Sequence, residues 1–325
     1  MLAAALDLQR PHYQNRAAGK HASAPRAALT PALWIGDGRR WLGKGAGVTT
    51  AAAAIRDART GTAAVALRDV RVHFPEPGGG VFKAVGETNL TVAGSEFVAI
   101  VGPTGCGKST LLNVTAGLLK PATGVAEIYG APLSGLNRQA GYLFQQDALM
   151  PWKTARENVA IGLEIAGVAR EEARERAQAW LTRVGLKTFG DRYAHQLSGG
   201  QRKRVGLAQV LIRDPKILLM DEPFGPLDAQ TRLIMGNLLL DLWSADRKAV
   251  MFVTHDLEEA IALADRVIIM SAGPEALIIG DHRIDIPRPR DISEVRLTPA
   301  FHELHKAIWG QLKAEVVKAY GGEIG

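Results

Sequence analysis

The segment Gly102-Pro103-Thr104-Gly105-Cys106-Gly107-Lys108-Ser109 constrains this chain more than any other stretch. It joins an apolar run at 97–101 to a helical pattern over 110–119, and strand, glycine-rich loop and helix in that order are the context in which G-x-x-x-x-G-K-[ST] holds nucleotide phosphates. The backbone from Gly102 to Gly107 would wrap phosphate oxygens, and the helix start carrying Ser109 and Thr110 would add a favourable dipole. Lys108 is expected to reach the β- and γ-phosphates and Ser109 to ligate Mg²⁺. Cys106, beside Lys108 and a helix start, is expected to favour its thiolate and to be open to alkylation.

A loop of this kind needs a parallel sheet beneath it. The runs at 97–101, 217–220, 250–253 and 267–270 are apolar throughout, as strands buried on both faces are. By contrast, 65–74 alternates apolar with polar residues and resumes at 90–92 after a Pro/Gly turn, the pattern of an antiparallel region. Ala169, Ala173, Ala177, Trp180, Leu181 and Val184 recur at helical spacing, with Glu172 four residues before Arg176. The expected fold class is α/β, a mostly parallel core with an antiparallel β subdomain and a helical insertion. Phe301, Leu304, Ile308, Leu312 and Val316 mark a final amphipathic helix that closes the domain.

Charge argues against a nucleic-acid partner. The net charge of +6 falls within residues 1–62, where nine basic side chains face three acidic ones; the remainder balances at 30 against 30. That Ala/Gly/Arg-rich front reads as a disordered basic extension without the apolar core of a secretory signal. Elsewhere no run approaches the 18 or so apolar residues that a bilayer crossing needs. A single cysteine among 325 residues excludes an internal disulfide and fits a reducing compartment.

The run 216–220 ends in Asp221-Glu222-Pro223, delivering two adjacent carboxylates to the carboxyl edge of the sheet. Asp221 can hold Mg²⁺, directly or through water, and Glu222 can orient and deprotonate an attacking water. Leu197-Ser198-Gly199-Gly200-Gln201 opens a further apolar-periodic helix and makes a second anion site.

With these residues in place, the sequence from 64 to about 320 resembles the ATP-binding-cassette (ABC) ATPases. The resemblance implies a P-loop NTPase fold of ABC type, ATP with Mg²⁺, and a head-to-tail homodimer in which the LSGGQ residues contact the γ-phosphate held by the opposite subunit. Phe144-Gln145 looks like the Q-loop, whose glutamine touches Mg²⁺ and the attacking water. Thr254-His255-Asp256 looks like the switch motif that sets His255 on the γ-phosphate. Gly225-Pro226-Leu227-Asp228 occupies the D-loop position, where Pro226 replaces the family's common Ala. Phe74 fits the aromatic that stacks on adenine, with Phe82 as a rival. The implied layout is a core at 63–146 and 201–285, a helical subdomain at 147–200, and a C-terminal segment and docking helix at 286–320.

Two further stretches resemble the nitrate/sulfonate/taurine importer ATPases: Leu149-Met-Pro-Trp152 leading to Glu157-Asn158-Val159, and Pro287-Arg288-Pro289-Arg290. In ABC importers the first region receives the permease, so transmembrane permease subunits are expected near Leu149 to Trp152. A solute-binding protein is the indirect partner, and the location is the cytoplasmic face of the membrane. The alternatives are a non-transport ABC ATPase of DNA repair or translation, and an exporter or lipid-trafficking ATPase. Only 53 residues separate Gln145 from Ser198, too few for the long coiled coil of repair types, and the single phosphate loop is unlike the paired cassettes of translation types.

Overall fold

The computed structural model describes residues 63–321; the expected extension at 1–62 lies outside them. Two sheets form the scaffold. In the first, β1 (Val65–Pro75), β2 (Val81–Val92), β4 (Thr123–Ile128) and β5 (Ala131–Pro132) pair in the order β2-β1-β4-β5, all antiparallel. The second holds β3 (Phe97–Val101), β6 (Ala140–Leu143), β7 (Ile217–Asp221), β8 (Ala249–Val253), β9 (Arg266–Met270) and β10 (Ile278–Arg283) in the order β10-β9-β3-β8-β7-β6. Only β10 runs antiparallel there, along the outer side of β9.

The all-apolar strands are apolar because both faces are covered. Along β3, Phe97, Ala99 and Val101 enter one core while Val98 and Ile100 enter another. β8 divides the same way: Val250 and Phe252 face the first core, and Ala249, Met251 and Val253 the second. The first core is closed by α5 (Ala229–Ala245), α6 (Leu257–Leu263), the short α7 (Ile292–Val295) and α8 (Pro299–Gly321), with Trp243, Phe97, Phe252 and Phe224 in successive ring contacts of 5.7–6.0 Å. Removing one such ring costs about 3–5 kcal/mol. α1 (Lys108–Ala116) and the antiparallel sheet close the second core. α1 ends three residues earlier than the helical pattern suggests because Gly117 turns left-handed, at φ 71°, under the backbone of Gly135.

A third cluster unites α2 (Ala155–Ile165), α3 (Arg170–Arg183) and α4 (Gly199–Leu211). Thr154 and Glu157 form a capping box at the start of α2, and the Glu172–Arg176 pair of α3 closes at 3.5 Å. α4 serves two masters: Val205 and Ala208 enter the helical cluster, Leu207 and Leu211 the first sheet core.

The Pro-Arg segment grips the core. Arg290 donates to the carbonyls of Ile261, Ala262 and Ala264 at the end of α6, and Arg288 donates to Leu263 O and Asp265. These cations satisfy a helix C-terminus. Burial pulls Arg290 down to about 10, and Arg288 lies over the Trp243 ring at 4.3 Å. The final helix buries Phe301, Ile308 and Leu312 on the face expected from its spacing.

Candidate active site

The carboxyl ends of β3, β7 and β8 meet at one edge, so three loops that are far apart in sequence converge. The phosphate loop after β3 is held in shape by its own lysine. Lys108 is 5% exposed, and its Nζ donates to Gly102 O and Pro103 O at 2.8 Å each. Gly105 and Gly107 take φ of 80° and 91°, which a residue with a Cβ resists, and a Cβ at Gly107 would lie 2.6 Å from Val85.

Cys106 corrects the expectation of a reactive thiolate. The side chain is fully buried, and burial pushes the thiol up more strongly than nearby Lys108 pulls it down. The loop turns Sγ inward beside Gly102, into the core that also holds Val98 and Ile100.

β7 ends in the two carboxylates, and the backbone sends them to different partners. Asp221 continues the strand and accepts a hydrogen bond from Ser109 Oγ at 2.7 Å. Burial, then the neighbouring Glu222, push the Asp221 carboxyl up, although the Ser109 hydrogen bond opposes the shift. Glu222 turns left-handed, at φ 41°, and its carboxylate meets a different set of partners. Its Oε2 accepts from Gln145 Nε2 at 3.3 Å and lies 3.1 Å from His255 Nδ1. One carboxylate oxygen thus collects the Q-loop glutamine and the switch-motif histidine, with Thr254 buried behind them.

Ser198 caps α4: its Oγ accepts from Gln201 N at 3.3 Å, and Gln201 Oε1 accepts from Ser198 N at 2.9 Å. Leu197 is buried as an anchor, and a Cβ at Gly200 would meet Thr231 at 2.5 Å, whereas Gly199 has more room. Asp228 caps α5 by accepting from Thr231 N and Oγ1. Phe74 and Phe82 face each other across β1 and β2, both more than a third exposed.

Several supporting residues escape sequence reasoning. Lys203 lies on the buried side of α4, four residues before Leu207, and donates to Gln145 O at 2.6 Å while pairing with Asp147 at 3.0 Å. Arg202 binds Asp147 as well, at 2.8 Å, and the two cations outweigh burial to hold that carboxyl below its usual range. Tyr142 OH donates to Asn113 and lies 3.5 Å from Asp221, with burial and that carboxylate pushing the phenol up. The one legible signal is a lysine standing in an apolar stripe.

Similarity to known proteins points the same way. Residues 85–225 match the ABC transporter family. An ATP-binding protein of Brucella abortus is 47% identical over 232 residues, covering 71% of this chain and 88% of the relative. The taurine import ATP-binding protein TauB of Mesorhizobium japonicum is 46% identical over 215 residues, covering 65% of this chain and 81% of the relative. Among solved structures, the dimeric post-hydrolysis state of the ATP-binding cassette MJ0796 bound to ADP and Pi aligns with a TM-score of 0.61 at 33% identity, covering 69% of this chain and all of that one. A nucleotide-shaped loop, paired carboxylates at the strand ends and this degree of relatedness converge: the chain belongs to the ABC transporter ATP-binding proteins, the ATP-hydrolysing subunits of ABC transporters.

Proposed function

We propose that this chain powers an importer of the nitrate/sulfonate/taurine class, hydrolysing ATP at Glu222. The observation that carries the catalytic reading is the meeting of Gln145, His255 and Glu222 on one carboxylate oxygen. In this mechanism the backbone of 102–107 cradles the phosphates, and Lys108 exchanges its loop carbonyls for the β- and γ-phosphate oxygens. Phe74 supports the adenine. Glu222 accepts a proton from the attacking water, Gln145 orients that water, and His255 fixes the γ-phosphate. The Leu197–Gln201 segment of a second copy closes over the same phosphate, and Asp228 borders that contact.

The residues fit Mg²⁺. Ser109 and Asp221 offer hard oxygen ligands 2.7 Å apart, on a carboxyl whose burial a cation would offset. These two, with Gln145, would hold the ion, which when bound neutralises charge on the β- and γ-phosphates.

Support for import comes from the likeness to TauB and from the surface beside the Q-loop. Phe144, Leu149, Asp147, Arg202 and Lys203 line a groove of about 200 Å³, and Trp152, three residues after Leu149 in the chain, is 73% exposed. A groove that holds Phe144 and Leu149, with an exposed indole a few residues along the chain, suits the docking of a permease helix. Among the described residues no helix is long and apolar enough to cross a membrane; in this reading separate permease subunits supply the passage. The decisive experiment is Glu222→Gln, which keeps the side-chain shape and removes the base. It should bind ATP and dimerise while turnover falls by about 10²-fold or more; near-normal turnover would overturn the role of Glu222.

A further inference from the structure

A polar junction behind the site joins the turn at 225–228 to the loop that carries His255. Arg232 lies on the first turn of α5. Its Nη1 donates to Asp256 Oδ2 at 3.0 Å, and its Nη2 to Leu227 O at 3.1 Å and Gly225 O at 3.5 Å. Those carbonyls flank Pro226, whose ring fixes φ, so the turn is held on both sides of its stiffest residue. Asp256 is pinned elsewhere too: its Oδ1 accepts from Glu259 N at 3.1 Å, and its own N–H donates to Thr254 Oγ1 at 3.0 Å.

The reacting side chains rest between these fixed points. A Cβ at Gly225 would lie 3.6 Å from His255 Cε1 and 3.8 Å from Glu222 Oε2, so the Gly225 backbone is a wall for both. On the far side, Arg232 Nε is buried without a partner among the described residues, beside a cavity of about 50 Å³ that Glu259 and Arg296 also line. Among the described residues, every side-chain hydrogen bond of Arg232 goes to the turn or to Asp256.

We propose that Arg232 is a positioning residue for ATP hydrolysis, clamping the carbonyls of Gly225 and Leu227 to Asp256 and thereby fixing His255 against Glu222. The proposal rests on the roles given above to those two residues. A planar guanidinium suits the task, because a lysine could pair with Asp256 but not also hold both carbonyls.

The test is Mg²⁺-dependent ATP turnover by the full chain as Arg232→Ala, Arg232→Lys, His255→Ala and the Arg232→Lys/His255→Ala double variant. Both Arg232 variants should lose about 10- to 100-fold in kcat with KM for ATP changed less than about twofold, since a misplacement near 1 Å suffices for losses of that size. Adding Arg232→Lys to His255→Ala should slow it by no more than about twofold, because the clamp acts through the histidine. Wild-type kcat in Arg232→Lys, a raised KM at unchanged kcat, or losses that multiply in the double variant would each overturn the clamp. Should Arg232→Ala fail to give a cooperative thermal transition, Arg232→Lys and its double variant decide the matter. If His255→Ala turns over normally, the histidine's role falls and the clamp with it; if only the Arg232 variants do, the clamp alone falls.

Discussion

Replacing Glu259 by Gln should change how the chain's stability depends on pH, by an amount the structure sets. Glu259 is 6% exposed, packed under the switch loop, and its Oε2 accepts from Thr254 Oγ1 at 2.5 Å while Oε1 has no partner among the described residues. Burial pushes its carboxyl from 4.5 to about 7, Asp256 adds to the rise, and Arg232 and Arg296 oppose it. The unfolded chain releases this proton near 4.5 and the folded chain near 7. Between those values the folded state holds more protons, so stability is greatest below 4.5 and falls as pH rises through 7. Over that window the loss attributable to Glu259 is about 3 kcal/mol at most. Glutamine carries no such proton: its carbonyl can still accept from Thr254, although its amide then faces the two arginines, an offset of about 1 kcal/mol. Guanidinium unfolding of both chains at pH 5, 6, 7 and 8 isolates the residue, because all other titrations are shared. The difference in unfolding free energy should move in favour of Glu259→Gln by about 2–3 kcal/mol from pH 5 to pH 8. A difference constant to within about 0.5 kcal/mol would show that Glu259 is ionised throughout and refute the reasoning.

Two other outcomes follow from burial and exposure. N-ethylmaleimide should modify Cys106 at least about 10²-fold more slowly in the folded chain than in guanidinium, since a buried, protonated thiol reacts only through opening; equal rates would contradict its burial. Trp152→Ala should abolish capture of the permease from detergent-extracted membranes while shifting the thermal midpoint by less than about 2 °C, because an exposed ring contributes little to folding. Undiminished capture would remove Trp152 from the docking surface.

What could be read from the chain beforehand divides along physical lines. The phosphate loop was legible because its function lies in consecutive backbone, and the parallel strands because burial on both faces leaves no polar positions to confuse them. The amphipathic final helix was legible for the related reason that Phe301, Ile308 and Leu312 bury one stripe. Cys106 was misjudged because its sequence neighbours, Lys108 and a helix start, favour a thiolate, while the desolvation that wins comes from a core assembled out of distant strands. Lys203 and Arg232 escape notice, and Arg290 shows only as part of a Pro-Arg pattern, for one reason: each acts on backbone carbonyls, which carry no sequence signature. The direction in which Glu222 points was equally hidden, since adjacent carboxylates at the end of a strand do not declare which will leave the strand's path.

That left-handed turn at Glu222 has a consequence for anyone selecting variants of this chain. A residue with a Cβ at φ 41° costs about 1–2 kcal/mol, and the ring of the following Pro223 restricts the backbone further. Glycine at this position would relieve the strain while deleting the carboxylate, so heat resistance and turnover pull in opposite directions at a single codon. A screen that rewards only survival at high temperature should therefore drift toward chains that fold better and no longer hydrolyse ATP.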